Sequence, residues 1–117
     1  MNNAFFFDSA EASPLPPEEV RIMGIYAEPY PEGQRVRVTV EMTPFQIRPW
    51  LELVLLDNDG EEVTTANVIE PLNYKIELTM HVKRADPIGK YNLHARLFYP
   101  ELPDGDSKTV GFEIKAG

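Results

Sequence analysis

The chain has 117 residues, the size of one domain, and it contains no cysteine, which excludes disulfides, zinc–thiolate sites and thiol nucleophiles. Its 19 acidic and 11 basic residues give a net charge of −8. That charge opposes binding to nucleic acid or to anionic lipid, since both need a cationic surface.

Residues 1–19 are predicted to be an extended, proline-rich aromatic leader. A solvated run of phenylalanines is unfavourable, so Phe5, Phe6 and Phe7 are expected to dock on another surface. The apolar run has no basic residues before it and is too short for a signal peptide. No stretch has the length of a transmembrane segment, so a cytoplasmic location is favoured.

The first half of the domain reads as four strands. A strand of mixed pattern over 20–28 precedes residues 35–42, where β-branched side chains alternate with polar ones. Residues 50–56 are apolar at almost every position. The run Asp57–Gly60 predicts a hairpin turn because Asn, Asp and Gly tolerate positive φ angles. The more polar return strand, 62–69, is typical of a sheet edge.

Three further strands follow in the second half. Residues 74–82 alternate between apolar and polar, and a longer alternating strand over 90–99 places Tyr91 and Leu93 on its inner face. Residues 100–106 are predicted to form a loop before a last strand over 110–114. Seven short strands without a convincing helix predict a two-sheet antiparallel β-sandwich.

The pattern Asp86-x-x-Gly89-x-Tyr91-x-Leu93 resembles the corner before strand F in immunoglobulin-like and fibronectin type III-like domains. The resemblance implies that the Tyr91 hydroxyl bonds back to the turn backbone, and that Trp50 matches the core tryptophan of those domains. The order of hairpins looks like the fibronectin type III arrangement, A-B-E against C′-C-F-G. The resemblance covers residues 20–115 and implies a seven-stranded all-β fold, not an activity. The sandwich domain is predicted to span residues 20–117.

Few residues suggest chemistry. His81 and His94 are expected on the polar faces of opposite sheets, too far apart to share a metal. Asp57 and Asp59 resemble part of a calcium loop and are weak metal candidates, although strands rather than helices flank them. No nucleophile elbow or phosphate loop is visible. The sequence therefore predicts that the chain is not an enzyme and binds no cofactor.

The third strand predicts a surface. If Leu51, Leu53 and Leu55 face the core, the alternate residues of this strand face outward. Together with Phe98 of the sixth strand, they form an apolar patch on the outer face of the C-F-G sheet: Trp50, Val54, Leu56 and Phe98. In the alternative, the parity is reversed and Trp50 is buried. Either the leader phenylalanines or a partner could cover such a patch.

The function predicted from these features is a non-catalytic protein-interaction or structural module, an accessory subunit of a larger assembly. It would bind a protein partner or self-associate through the patch and the leader, without binding nucleic acid. Two alternatives stay open at this point. One is a small-ligand or carbohydrate-binding sandwich with a weak calcium hairpin, and the other is a membrane-peripheral subunit anchored by the aromatic segment.

Overall fold

The computed structural model describes residues 13–116, which form two antiparallel sheets. The seven strands in chain order are β1 (Ile22–Pro29), β2 (Arg35–Met42), β3 (Trp50–Asp57), β4 (Glu62–Ile69), β5 (Lys75–His81), β6 (Gly89–Tyr99) and β7 (Leu102–Ile114). One sheet has the order β1-β2-β5 and the other the order β4-β3-β6-β7. This confirms the predicted all-β sandwich and its A-B-E against C′-C-F-G strand order.

The core lies between the sheets and is built from alternate residues of the central strands. Side chains of β2, β3 and β6 fill its centre with almost no exposure: Val36, Val38, Val40, Leu51, Leu53, Leu55, Leu93, Ala95 and Leu97. Burying one such leucine or valine side chain stabilises the fold by about 1.5–3 kcal/mol. Because side chains alternate along a strand, each central strand presents its other set of residues to solvent.

The corner before β6 has the geometry that the resemblance implied. The Tyr91 hydroxyl donates a hydrogen bond of 2.6 Å to the carbonyl oxygen of Pro87. The ring is buried, and it stacks on Phe112 of β7 with 5.5 Å between the ring centroids. Burial raises the pKa of the Tyr91 hydroxyl, since ionisation would place a charge among apolar neighbours. The bond therefore ties the start of β6 to the turn before it.

The predicted loop over residues 100–106 is wrong, because β7 begins at Leu102 and runs through it. Tyr99 pairs with Leu102 and Leu97 pairs with Asp106, so β7 has extra residues at this point and bulges. A Cβ atom at Gly105 would overlap the carbonyl oxygen of Leu97, so only glycine fits there. The proline and glycine that suggested a loop are the residues that make the bulge.

The segment before β1 lies against the sandwich. The Leu15 N–H donates to the carbonyl of Pro44 at 3.1 Å, and the Leu15 carbonyl accepts from the N–H of Gln46 at 2.9 Å. Pro17–Glu19 forms a single 3-10 turn, so the prediction of an extended leader fails there. Proline fixes φ near the helical value and is tolerated in a first turn. The boundary between leader and domain stays a prediction.

Among residues 13–116 there is no helix with the length and apolar character needed to cross a membrane. The cytoplasmic location stays a prediction.

Replacing Tyr91 by Phe should lower the free energy of unfolding by about 1 kcal/mol, through the lost hydrogen bond to Pro87. Urea denaturation followed by circular dichroism measures the change. Tyr26→Phe is the matched control, because the Tyr26 ring is exposed and its hydroxyl lies 3.4 Å from an exposed Glu41 carboxylate. Equal effects of the two substitutions would contradict the role of the corner.

Gly105→Ala should destabilise the fold by about 1–3 kcal/mol, because the added methyl group forces β6 and β7 apart at the bulge. Gly111→Ala on the same strand is the control, since its Cβ would lie 3.2 Å from the Asn92 side-chain oxygen and 3.7 Å from the Tyr91 carbonyl oxygen, without overlap. Thermal denaturation should rank the two variants in this order. A Gly105→Ala variant as stable as Gly111→Ala would argue against the close approach at Leu97.

Candidate functional site

The outer face of the four-stranded sheet carries a row of apolar side chains. Strand β3 lies between β4 and β6, and Trp50 is opposite Ile69 on one side and Phe98 on the other. The Trp50 and Phe98 rings lie 6.0 Å apart, centroid to centroid, at an angle of 55°. Both rings are half-buried, while Ile69 is 56% exposed. These three residues are called the aromatic row below.

The orientation of β3 decides between the two interpretations of its sequence. Leu51, Leu53 and Leu55 are at most 1% exposed, and the alternate residues of the strand are only partly buried. The outward placement of Trp50, Val54 and Leu56 is therefore confirmed, and the core tryptophan suggested by the family resemblance is wrong. The physical reason is Glu52, which lies on the same face of β3 as Trp50. If Trp50 faced the core, the Glu52 carboxylate would be buried with it.

The predicted patch is not continuous, because a polar pair crosses it. Arg96 of β6 lies opposite Glu52, with 3.3 Å between its Nε and the Glu52 Oε1. The Arg96 guanidinium also covers the Phe98 ring at 4.0 Å from its centroid and donates to the Pro103 carbonyl. Val54 and Leu56 lie beyond this pair, beside His94 and Asn92 respectively. The patch is thus the aromatic row alone, with Val54 and Leu56 separate from it.

The aromatic row borders one end of the sandwich, where β2, β4 and β6 end and β3, β5 and β7 begin. Exposed large apolar residues concentrate at this end in the strand connections and the adjoining strand termini: Ile47, Ile69, Leu72, Tyr74 and Leu102. Leu72 is 79% exposed and Ile47 57%. This end, defined by those five residues, is called the apolar end. The segment around Leu15 reaches the sandwich here, at Pro44 and Gln46.

The hairpin between β3 and β4 confirms the predicted turn and shows what its first carboxylate does. Asp57 Oδ1 accepts the N–H groups of Asp59 at 2.9 Å and Glu61 at 3.0 Å. Asp57 Oδ2 accepts from Arg84 at 2.7 Å. The N–H of Glu61, and then Arg84, hold the pKa of Asp57 below its ordinary value.

A calcium ion at Asp57 and Asp59 would have to displace Arg84 and both N–H groups. Over residues 13–116, no three His, Asp or Glu side chains gather as a possible metal site. The two histidines lie in opposite sheets, as predicted, His81 on β5 and His94 on β6. The His94 Nδ1 lies 2.9 Å from the Thr109 hydroxyl.

One cluster on the outer face of the three-stranded sheet was not predicted. The Arg35 and Arg37 guanidinium carbons lie 4.2 and 5.8 Å from the centroid of the Tyr30 ring. The Thr79 hydroxyl, 3.5 Å from the Tyr30 hydroxyl, and the positive charge of Arg37 lower the pKa of Tyr30. Glu32 is 2.8 Å from Arg35 and offsets its charge. Two arginines at i and i+2 after a Pro-Tyr-Pro turn are the signal that could have indicated it.

No protein-family model and no curated protein sequence matches the chain. Its fold is similar to part of a Bifidobacterium dentium β-glucuronidase complexed with coumarin-3-O-glucuronide, with a TM-score of 0.60 and 14% identity over 84% of this chain. A Parabacteroides merdae β-glucuronidase gives a TM-score of 0.57 at 11% identity over 81% of the chain, and a Lactobacillus rhamnosus β-glucuronidase gives 0.54 at 19% over 83%.

At these identities the likeness shows the fold alone, and it does not extend to a specific immunoglobulin or fibronectin type III family. The chain spans 18%, 14% and 16% of the three β-glucuronidase chains, respectively.

The structural neighbours correct the function predicted from the sequence. The prediction of a protein-interaction or structural module that serves as an accessory subunit of a larger assembly is wrong, because the similar structures are segments within the long chains of β-glucuronidases. The carbohydrate-binding and membrane-peripheral alternatives gain no support from them either. Whether the aromatic row or Phe5, Phe6 and Phe7 make contacts stays a prediction, and those three phenylalanines lie outside the described residues.

Replacing Asp57 by Asn should make the stability of the fold decrease less as the pH is lowered. A folded pKa below the unfolded value of about 3.9 means that the carboxylate stabilises the fold above that pH. The contribution is lost as pH falls through the folded pKa. Asparagine keeps an acceptor for the two N–H groups but loses the charge opposite Arg84.

Melting temperatures between about pH 7 and about pH 2 measure this effect. Asp59→Asn, which removes a neighbouring carboxylate of the same turn, is the control. The wild-type and Asp59→Asn profiles should fall steeply in acid, and the Asp57→Asn profile should start lower and fall less. Parallel profiles for all three proteins would show that Asp57 is not the group responsible.

Proposed function

We propose that this chain is the β-sandwich domain of a glycoside hydrolase, and that it supports the enzyme without supplying the reacting groups. The observation that carries the proposal is the match of more than four-fifths of the chain to one part of several β-glucuronidases. The neighbours also include a glycosyl hydrolase family 2 member from Bacteroides cellulosilyticus, with a TM-score of 0.56. The substrate of the whole enzyme would be a glycoside, with β-glucuronides the first to test.

Two carboxylates of the chain, Glu32 and Asp57, fit a supporting role better than a catalytic one. Glycoside hydrolysis ordinarily needs two carboxyl groups on either side of the scissile bond, one of them a general acid with a raised pKa. Arg35 lowers the pKa of Glu32, and the surroundings of Asp57 lower its pKa as well. Both shifts are opposite to what a general acid requires. Neither Glu32 nor Asp57 therefore fits the role of the general acid.

The apolar end fits contact with another domain. Interfaces between domains of one enzyme bury several hundred Å² and combine apolar with polar residues. Leu72 and Ile47 project from two neighbouring connections and are among the most exposed large apolar side chains of the described residues. The outer face of the three-stranded sheet is charged by comparison, with Arg37, Glu77 and Lys75 on its central and edge strands. A neighbouring domain would accordingly pack at the apolar end.

An antibody raised against the purified chain tests this proposal in extracts of the source organism. The precipitate should hydrolyse aryl glycosides, with p-nitrophenyl β-glucuronide as the first substrate. The antigen should be part of a polypeptide or stable complex much larger than 13.3 kDa. The isolated 117-residue chain should show no turnover of the same substrates.

Two controls accompany the precipitation: pre-immune serum, and antibody blocked with an excess of the purified chain. A free 13.3 kDa species that precipitates without glycosidase activity would overturn the proposal. Hydrolysis by the isolated chain would overturn its second part, the absence of reacting groups.

A further inference from the structure

We propose that Phe5, Phe6 and Phe7 dock on the aromatic row of the same chain and shield Trp50 from solvent. This inference does not depend on the chain being a glycosidase domain. The triplet lies outside the residues that the structure describes. The row, the anchored segment at Leu15 and the length of chain between them support its docking.

The aromatic row has the chemistry to receive phenylalanine rings. Trp50 and Phe98 are already in contact with each other, and Ile69 extends the same surface to the edge strand β4 with more than half of its area exposed. Arg96 covers Phe98 from the side of the polar pair. Ile69 is therefore the most exposed residue of the row. Aromatic rings that pack edge-to-face or offset gain about 0.5–1.5 kcal/mol beyond the area that they bury.

The anchored segment brings the triplet within reach of the row. Hydrogen bonds of Leu15 to Pro44 and Gln46 fix the chain at the apolar end. Gln46 precedes Trp50 by four residues, so the two Cα atoms are separated by at most about 14 Å. The eight residue steps from Leu15 back to Phe7 span up to about 28 Å. The tether is thus longer than the distance that it has to cover.

Two considerations favour the chain's own triplet over a second copy of the protein. A short tether holds the phenylalanines at an effective concentration of about the millimolar range beside the row. The net charge of −8 makes two copies repel each other. The intramolecular contact should consequently form at protein concentrations at which a dimer does not.

Trp50 is the single tryptophan of the chain, so its fluorescence reports on the row directly. The test variant carries Phe5→Ser, Phe6→Ser and Phe7→Ser together, and the matched control carries Leu at the same three positions. The serine variant should show red-shifted Trp50 emission and a severalfold larger acrylamide quenching constant. The leucine variant should stay close to the wild type, because its side chains remain apolar.

A dilution series separates the possible occupants. Shielding of Trp50 that persists on dilution supports the intramolecular contact. Shielding that is lost on dilution would overturn the proposal in favour of a second copy. Identical emission and quenching in the wild-type and serine proteins would also overturn it, since the triplet would then not touch Trp50. Circular dichroism confirms that each variant keeps its β-sheet spectrum.

A second measurement starts from the row instead of the triplet. Ile69→Asp places a charge in the aromatic row, and Thr65→Asp places one on the same strand beside Val54, beyond the polar pair. Chymotrypsin should cleave after the leader phenylalanines faster in Ile69→Asp than in the wild type, and at the wild-type rate in Thr65→Asp. Equal cleavage of all three proteins would show that the row does not hold the triplet.

Discussion

The charge of Glu52 decides how the four-stranded sheet faces the core. From Trp50 to Leu56, β3 is apolar on both faces except at Glu52, so either face of the strand could have been the buried one. Burying Glu52 would cost several kcal/mol without a partner, whereas on the outer face it meets Arg96. A slip of one residue would exchange the two faces of the strand. One carboxylate therefore places three leucines in the core and Trp50 outside.

The register between strands extends the orientation of β3 to its neighbours β4 and β6. Because Trp50 pairs with Ile69 and Phe98, all three must lie on one face once β3 is oriented. The same ladder sets Glu52 against Arg96. The aromatic row therefore follows from the way β3 packs its leucines into the core, and no other sequence pattern is required to place it. The alternation of β3 and β6 made the outward placement of Trp50 and Phe98 predictable. Ile69 was not predicted, because its place beside Trp50 depends on the register between β3 and β4.

Features that depend on local chemistry were predictable, and those that depend on distant residues were not. The turn at Asp57–Gly60 and the Tyr91 corner each close within a few residues, so residue types in order are enough to recognise them. The start of β7 was missed because the requirement for glycine at position 105 comes from the close approach of the Leu97 carbonyl oxygen, which lies on another strand. The division of the patch was missed because Arg96 meets a partner 44 positions away in the chain. Function was least predictable, since a β-sandwich hosts many unrelated functions and its strand pattern specifies none of them.

The bulge in β7 also determines how the molecule behaves towards copies of itself. β7 is an edge strand of its sheet, and regular edges offer free N–H and C=O groups to which another strand can add. Pro103 has no N–H to offer, and the bulge bends the strand where it would otherwise be flat. The Asp106 carboxylate accepts the N–H of Ile22 at 2.9 Å, so a side chain links β7 to β1 of the other sheet. This edge is thereby a poor template for fibrous, strand-by-strand polymerisation.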